Sequence, residues 1–183
     1  TLADHPADVV ALQEGGRGWV ISGAIDTLTW LSQRLDLPYA YGGNATGLWG
    51  NAVLSRLPLR SVNHHFKEPG RIPRGVLEVE IDVGDRTYTI LNTHLDHEVD
   101  GDLTRELQVK AILNVWGGRT HTAVVGDLNA LPNERPIQHL LAEGFRDPDV
   151  GGPPTFPDNH VHQLASPQDR DSYIATGDRI DYV

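Results

Sequence analysis

Leu77-Glu78-Val79-Glu80-Ile81-Asp82-Val83-Gly84-Asp85-Arg86-Thr87-Tyr88-Thr89-Ile90-Leu91-Asn92 is the stretch that decides the fold. Leu77, Val79, Ile81 and Val83 alternate with Glu78, Glu80 and Asp82, the period of a strand with one apolar face. Gly84-Asp85 makes a turn, and Tyr88 to Asn92 reads as a second strand, so an antiparallel hairpin is predicted. Outside the hairpin the pattern changes. Ala7 to Leu12 is a buried strand; Ile25, Leu28, Leu31 and Leu35 recur at helical spacing before Pro38; Asn51 to Leu54 is a short strand closed by Ser55-Arg56-Leu57-Pro58. Downstream, Leu103, Leu107 and Ala111 mark a helix that stops at Gly117-Gly118, and Thr122 to Val125 is a buried strand. Pro136 opens a short helix through Ile137, Leu140 and Leu141, which Gly144 ends, and residues 146–178 read mostly as loop. A hairpin mixed with strand-helix units implies an α/β fold of two packed sheets with helices outside, not a purely parallel sheet.

The 183 residues fit a single domain, 1–183, able to bury a sizeable core. With 39% hydrophobic and 22% charged residues the composition is that of a soluble globular chain, and no apolar run approaches a membrane span. Cysteine is absent, which excludes disulfides and thiolate metal sites. The formal net charge of -10 argues against a sequence-independent grip on nucleic acid, although Arg56, Arg60, Lys67, Arg71 and Arg74 could form a local basic strip. Trp19, Trp49 and Tyr41 could contact a base or a lipid head group, but large aromatics in such a chain belong more often to the core.

The chemistry-bearing residues stand where strands run out, a position from which rigid elements converge on one ligand. Glu14 follows an apolar run; a carboxylate there suits a hard divalent cation, and its bland alternative is an exposed strand-end glutamate. His94 closes Ile90-Leu91-Asn92-Thr93 and suits donation to a phosphoryl oxygen, against the alternative of a histidine satisfied by backbone. Asp96 and His97 follow it as supporting groups or as solvated ones, the latter being the expectation for His97. Gly126-Asp127-Leu128-Asn129-Ala130 closes the buried strand; strand alternation would place Asp127 and Asn129 on one side, and an Asx turn is the competing reading. Asp127 suits orienting or deprotonating water, and Asn129 suits holding a phosphoryl oxygen without added charge. Asp181, after Arg179-Ile180, could share a metal or support a histidine, unless it merely pairs with Arg179. Arg74 suits bidentate phosphate binding; otherwise it is a surface arginine. His64-His65, His160 and His162 hint at a second metal site and are expected to be incidental.

Taken together these segments resemble the endonuclease/exonuclease/phosphatase superfamily, the fold of pancreatic-type deoxyribonuclease. The matching stretches are residues 7–14, 50–56, 92–96, 126–130, Thr155-Phe156-Pro157 and Arg179-Ile180-Asp181-Tyr182, in the family's order and across essentially the whole chain. The resemblance implies a four-layer α/β-β/α sandwich of two packed mixed sheets with outer helices, lacking a terminal strand at each end. It implies Mg2+ or Mn2+ held by Glu14, which Asp181 could share on the residue reading above; it implies His94 and Asn129 as phosphate contacts, with Arg74 resembling a phosphate-contacting arginine of some members, and Asp127 as the residue that handles the water. Asp181 also matches the aspartate that supports a catalytic histidine, and Arg105 and Gln108 match a helix pattern read as structural. Two family features, an early Asn near the metal and a closing Ser-Asp-His strand, fall outside these residues, so full activity is expected to need flanking sequence. Gly15-Gly16-Arg17-Gly18 and Leu48-Trp49-Gly50-Asn51-Ala52 resemble a bacterial branch attached in places to membrane-anchored proteins, similar to the phosphodiesterase-like domain of a GPI-lipid remodelling protein.

The expected function is a metal-dependent phosphoester hydrolase, a monomer acting on a phosphodiester by in-line water attack. A small or lipid substrate is preferred over DNA on the net charge and on the presence of only two lysines, Lys67 and Lys110. The alternatives are a nuclease and a catalytically silent module that docks a phosphate or a protein.

Overall fold

The computed structural model describes residues 7–20, 23–44, 46–68, 72–98, 100–155 and 179–183, with side chains left aside at 66–68. Phe156, Pro157, His160, His162 and Arg71, named above, lie outside the described residues.

Among the described residues, eight strands and three helices follow in the order β1 (Val9–Gly16), α1 (Thr27–Leu35), β2 (Tyr39–Gly43), β3 (Trp49–Ser55), β4 (Leu59–Glu68), β5 (Arg74–Val83), β6 (Arg86–His94), α2 (Asp102–Trp116), β7 (Thr122–Asp127), α3 (Arg135–Ala142) and β8 (Asp181–Tyr182). They form two sheets. The smaller, β1-β3-β2, is antiparallel; the larger, β4-β5-β6-β7-β8, is mixed because β6 and β7 run parallel. The predicted hairpin is β5-β6, closed at Val83↔Arg86. β2 and β4 were not visible in the sequence pattern: β2 is Tyr-Ala-Tyr-Gly-Gly, and β4 mixes polar and apolar residues without a clean period.

Alternation along β5 explains the layers. Leu77, Val79 and Ile81 face the smaller sheet and pack with Ala40, Val53, Val9, Ala11, Leu59 and Ile90. Val76, on the opposite face, joins Leu91, Val109, Ile112, Val124, Ile137 and Leu140 under α2 and α3. α1 rests on β1, where Leu28 fills the space a Cβ on Gly15 would take, only 2.9 Å from the leucine methyl. The helix, sheet, sheet, helix order is the sandwich that the sequence implied.

Local rules account for the helix ends. Asp26 caps α1 by accepting from the Thr29 amide at 2.9 Å, and Asp36 closes it in a left-handed conformation. Gly117 ends α2 the same way. The apolar markers that predicted α2 do not form its buried face: Leu103 and Leu107 are exposed, and Arg105, Gln108, Val109 and Ile112 are buried instead. The reason is that α2 must also hold down the loop after His94. Arg105 donates to the carbonyls of Asp96 and Glu98, and Gln108 accepts from the Asp96 amide at 2.8 Å.

The sheets are joined by amides where apolar side chains would otherwise meet. Asn92, fully buried, donates to the carbonyls of Leu12 and Ala52 and accepts from Gln13. Asn51 donates to the carbonyls of Gly75 and Asn92. Among the described residues no helix is long and apolar enough to cross a membrane.

Candidate active site

Three strand ends meet at His94. β6 and β7 pair in register to His94↔Asp127, and β8 brings Asp181 opposite Asp127. His94 Nε2 lies 3.6 Å from Asp127 Oδ2, and His94 Nδ1 lies 4.0 Å from Glu14 Oε1. Glu14 and Asp127, more than a hundred residues apart in sequence, thus flank one imidazole. Gly126 permits this approach: with φ +137°, a Cβ there would fall 2.0 Å from the Thr93 carbonyl oxygen.

Glu14 does not end its strand, as the apolar run suggested. It sits in an irregularity of β1 between Leu12 and Gly15, with φ +56°, and β1 continues to Gly16. The kink turns a mostly exposed carboxylate toward His94 (65% exposed). Asn129 also departs from the simple expectation. β7 ends at Asp127, Asn129 has φ +46°, and its amide donates to Asp127 Oδ1 at 2.9 Å. The relation is an Asx turn, not strand alternation. The Asn129 side chain donates to the Leu95 carbonyl at 3.1 Å, which orients the carboxamide beside the site.

Arg74 is not a surface arginine. It is 3% exposed, its guanidinium lies 5.4 Å from the Trp49 ring centre, and Nη2 contacts His97 Nδ1 at 3.1 Å. Arg74 Nε and Nη1 have no hydrogen-bond partner among the described residues, and neither does His94 Nδ1. His97, expected to be solvated, is half-exposed yet touches Arg74 and approaches Glu98 at 3.6 Å. Asp96 is buried, and its charge acts on Arg74. Arg179, the possible partner of Asp181, instead makes a bidentate pair with Asp147 at 2.7 Å. Asp181 is left free of that pair, with Thr155 Oγ1 accepting from its amide.

Electrostatics follows from this packing. Burial, then the charges of Arg74 and His97, push His94 down to about 3, so the ring is neutral at physiological pH and has one N–H to donate. Burial, then the charge of Asp181, push Asp127 up to about 6; the Asn129 amide and Arg74 oppose this, and Glu14 adds to it. Burial lowers Arg74 from its ordinary value, against the charges of Asp96, Glu14 and Asp127. The site therefore gathers more negative charge than Arg74 offsets, and it does so beside unbonded donors. Hard oxygen donors with uncompensated charge fit a divalent cation such as Mg2+, which uses one or two carboxylates and completes its shell with water and substrate. Among the described residues no group of three or more His, Cys, Asp or Glu side chains is placed to hold a metal ion, so a cation here would have one or two carboxylates and otherwise water and substrate.

The other candidates lie elsewhere. His64 and His65 point to opposite faces of β4: His64 packs against Gly42, and His65 hydrogen-bonds Glu78. Arg56 and Arg60 pair with Asp8 and Asp82, so the described members of the basic strip do not form a free positive surface with Arg74. Sequence reasoning missed the roles of Asn51, Asn92 and Gln13; amides inside otherwise apolar strands were the available signal. It also missed Trp49 as a neighbour of both Arg74 and His94.

A two-sheet α/β sandwich whose strand ends present a neutral histidine, a buried arginine and several carboxylates defines a class of fold and rim. The chain belongs to the Endonuclease/Exonuclease/phosphatase family, whose profile matches residues 1–183. No curated protein matches it in sequence. Among solved structures it is similar to a functionally unknown conserved protein from Enterococcus faecalis V583, with TM-score 0.77, 18% identity, and coverage of 99% of this chain and 74% of the other. It is also similar to the human Nocturnin catalytic domain with bound sulfate, with TM-score 0.67, 16% identity, and coverage of 99% and 70%. A third similar structure is D. rerio TDP2 complexed with a single-strand DNA product, with TM-score 0.57, 18% identity, and coverage of 90% and 60%. The chain thus spans about three quarters of the bacterial structure and three fifths of the fish one. At these identities the likeness is one of fold. The family includes phosphodiesterases and nucleases, and its members are typically metal-dependent phosphoester hydrolases.

Proposed function

We propose that this domain is a divalent-metal-dependent phosphodiesterase that hydrolyses its substrate by in-line attack of water. The observation that carries the reading is the juxtaposition around His94: an arginine with two unbonded buried nitrogens beside carboxylates whose mutual repulsion and burial raise Asp127. Buried polar groups are normally satisfied, so such a set is best explained by a ligand carrying both a cation and anionic oxygens.

Glu14 and Asp181 would hold the cation, Mg2+ or Mn2+. Bound there, it supplies Lewis-acid stabilisation of a phosphoryl oxygen and of the leaving oxygen. Arg74 offers Nε and Nη1 to the phosphoryl oxygens, and neutral His94 donates one ring N–H as negative charge grows. The Asn129 carboxamide, held by Leu95, lies beside the same oxygens. Asp127 orients water and accepts its proton, a task suited to a carboxylate raised to about 6.

The net charge of -10, the two lysines, and the acidic partners of Arg56 and Arg60 support a small or lipid phosphodiester over a nucleic-acid strand. The test compares hydrolysis of bis(4-nitrophenyl) phosphate with nicking of supercoiled plasmid, each with Mg2+, Mn2+ or EDTA, at moderate salt. Metal-dependent turnover of the diester with weak nicking is expected. Efficient nicking would reverse the substrate preference, and turnover of neither substrate by the domain together with its flanking sequence would reject the hydrolase.

A further inference from the structure

We propose that Trp19, backed by Trp49, is the seat for a planar, π-faced substituent carried by the substrate phosphorus. The inference deepens the phosphodiesterase reading and rests on its phosphate site.

The Trp49 ring is 5% exposed and touches both proposed phosphate-holding groups: its centre lies 6.0 Å from the His94 ring and 5.4 Å from the Arg74 guanidinium carbon. Trp19 is the next ring, 5.8 Å from Trp49, and it is partly buried. A phosphorus held by His94 and Arg74 is therefore separated from Trp19 by the width of one aromatic ring. A substituent on that phosphorus that extends past Trp49 would reach Trp19. The distances suit stacked or tilted aromatic packing.

The described backbone on both sides of Trp19 is hydrogen-bonded. Arg17 donates to the Leu48 carbonyl at 2.8 Å and bridges to Asp26, Gly18 donates to Ile25 at 3.1 Å, and Ala24 donates to the Trp19 carbonyl at 2.9 Å. Trp19 is thus held five residues after Glu14, on the side of the groove formed by the smaller sheet. On one flank Arg17 covers the Tyr41 ring at 5.2 Å. Around it Val20, Ile25 and Leu48 are exposed, giving an apolar border. A partly buried tryptophan with an apolar border next to a phosphate site provides a π surface and no hydrogen-bond code. It recognises flatness, not a particular pattern of donors.

The test measures binding of phenyl phosphate and methyl phosphate by calorimetry in the presence of Mg2+. Wild type, Trp19→Ala and Trp19→Phe are compared, and circular dichroism confirms the fold of each. In wild type the phenyl ester binds about tenfold more tightly, within the range that stacking on one aromatic side chain supplies. Trp19→Ala reduces the preference to about twofold or less without weakening methyl phosphate, and Trp19→Phe keeps most of it. Equal affinities in wild type, a preference that survives in Trp19→Ala, or loss of both ligands in that variant overturns the seat. If wild type binds neither ester, the phosphate site and the seat fall together. If it prefers the phenyl ester but hydrolyses no phosphodiester, the seat stands and the hydrolase reading fails.

Discussion

Asp127→Asn should make this protein both slower and more stable, and the two effects have one cause. Asp127 is largely buried and lies beside Asp181 and Glu14, and its carboxyl rises from an ordinary 3.8 to about 6. That difference corresponds to about 3 kcal/mol against the ionised form in the folded protein. The sign follows from proton linkage. Below pH 3.8 the carboxyl is neutral in both states and imposes no penalty. As pH rises toward about 6 the unfolded chain releases its proton first, so the folded state binds more protons and stability falls. Above that range the full penalty applies. Asparagine keeps the shape and can still accept from the Asn129 amide, but it carries no charge. In EDTA at pH 8 the variant should therefore gain about 3 kcal/mol, or about 6–12 °C in Tm for a chain of this length. At pH 3.5 the gain should vanish. Turnover of the diester should fall by about 10²-fold or more, because the water loses its proton acceptor. Thermal melts across pH and initial rates with saturating metal provide the two readings. A variant no more stable than wild type at pH 8 would refute the claim of uncompensated charge, and one that keeps its rate would refute the role given to Asp127.

Two further substitutions examine other parts of the site. Arg74→Met removes the guanidinium that partly offsets Asp96, Asp127 and Glu14, so inhibition by inorganic phosphate should weaken about tenfold or more and Tm at pH 8 in EDTA should fall; unchanged inhibition would remove Arg74 from the phosphate site. Asn92→Ala deletes three hydrogen bonds between the sheets, so urea unfolding should show a loss of about 3 kcal/mol, against about 1 kcal/mol for Gln13→Ala, which deletes one. Similar losses in the two variants would show that Asn92 does not tie the sheets together.

What could be read from the chain and what could not divide along a physical line. The β5-β6 hairpin was legible because its faces meet different surroundings, one the smaller sheet and the other α2. β4 was not, because it is an edge strand, and its pattern answers to the hairpin beside it rather than to a single buried face. The strand-end positions of His94 and Asp127 were legible, since each closes an apolar run. The backbone geometry of Glu14 and Asn129 was not: a kink inside β1 and a left-handed turn after β7 leave no periodic mark. Burial of Glu78 was hidden for a similar reason. Its alternation predicted only that it shares a face with Glu80; the hydrogen bonds from Arg119 and His65 that make burial tolerable come from distant elements.

The same division explains how the site is built. A charged rim at the ends of strands is unstable unless something holds the sheets at a fixed separation. Asn92, Asn51 and Gln13 do this through directional bonds to strand carbonyls, where apolar contacts alone would permit sliding. Arg105 and Gln108 fix the loop after His94 from the outer side. Polar groups inside the sandwich thus cost desolvation and supply position. Among the described buried atoms without a hydrogen-bond partner, which include Asn51 Oδ1 and Arg105 Nε, Arg74 Nε and Nη1 and His94 Nδ1 are the ones at the strand ends beside Glu14 and Asp127. Asn92 has its side chain fully bonded and Arg74 does not, a contrast on which the phosphate role proposed for Arg74 rests.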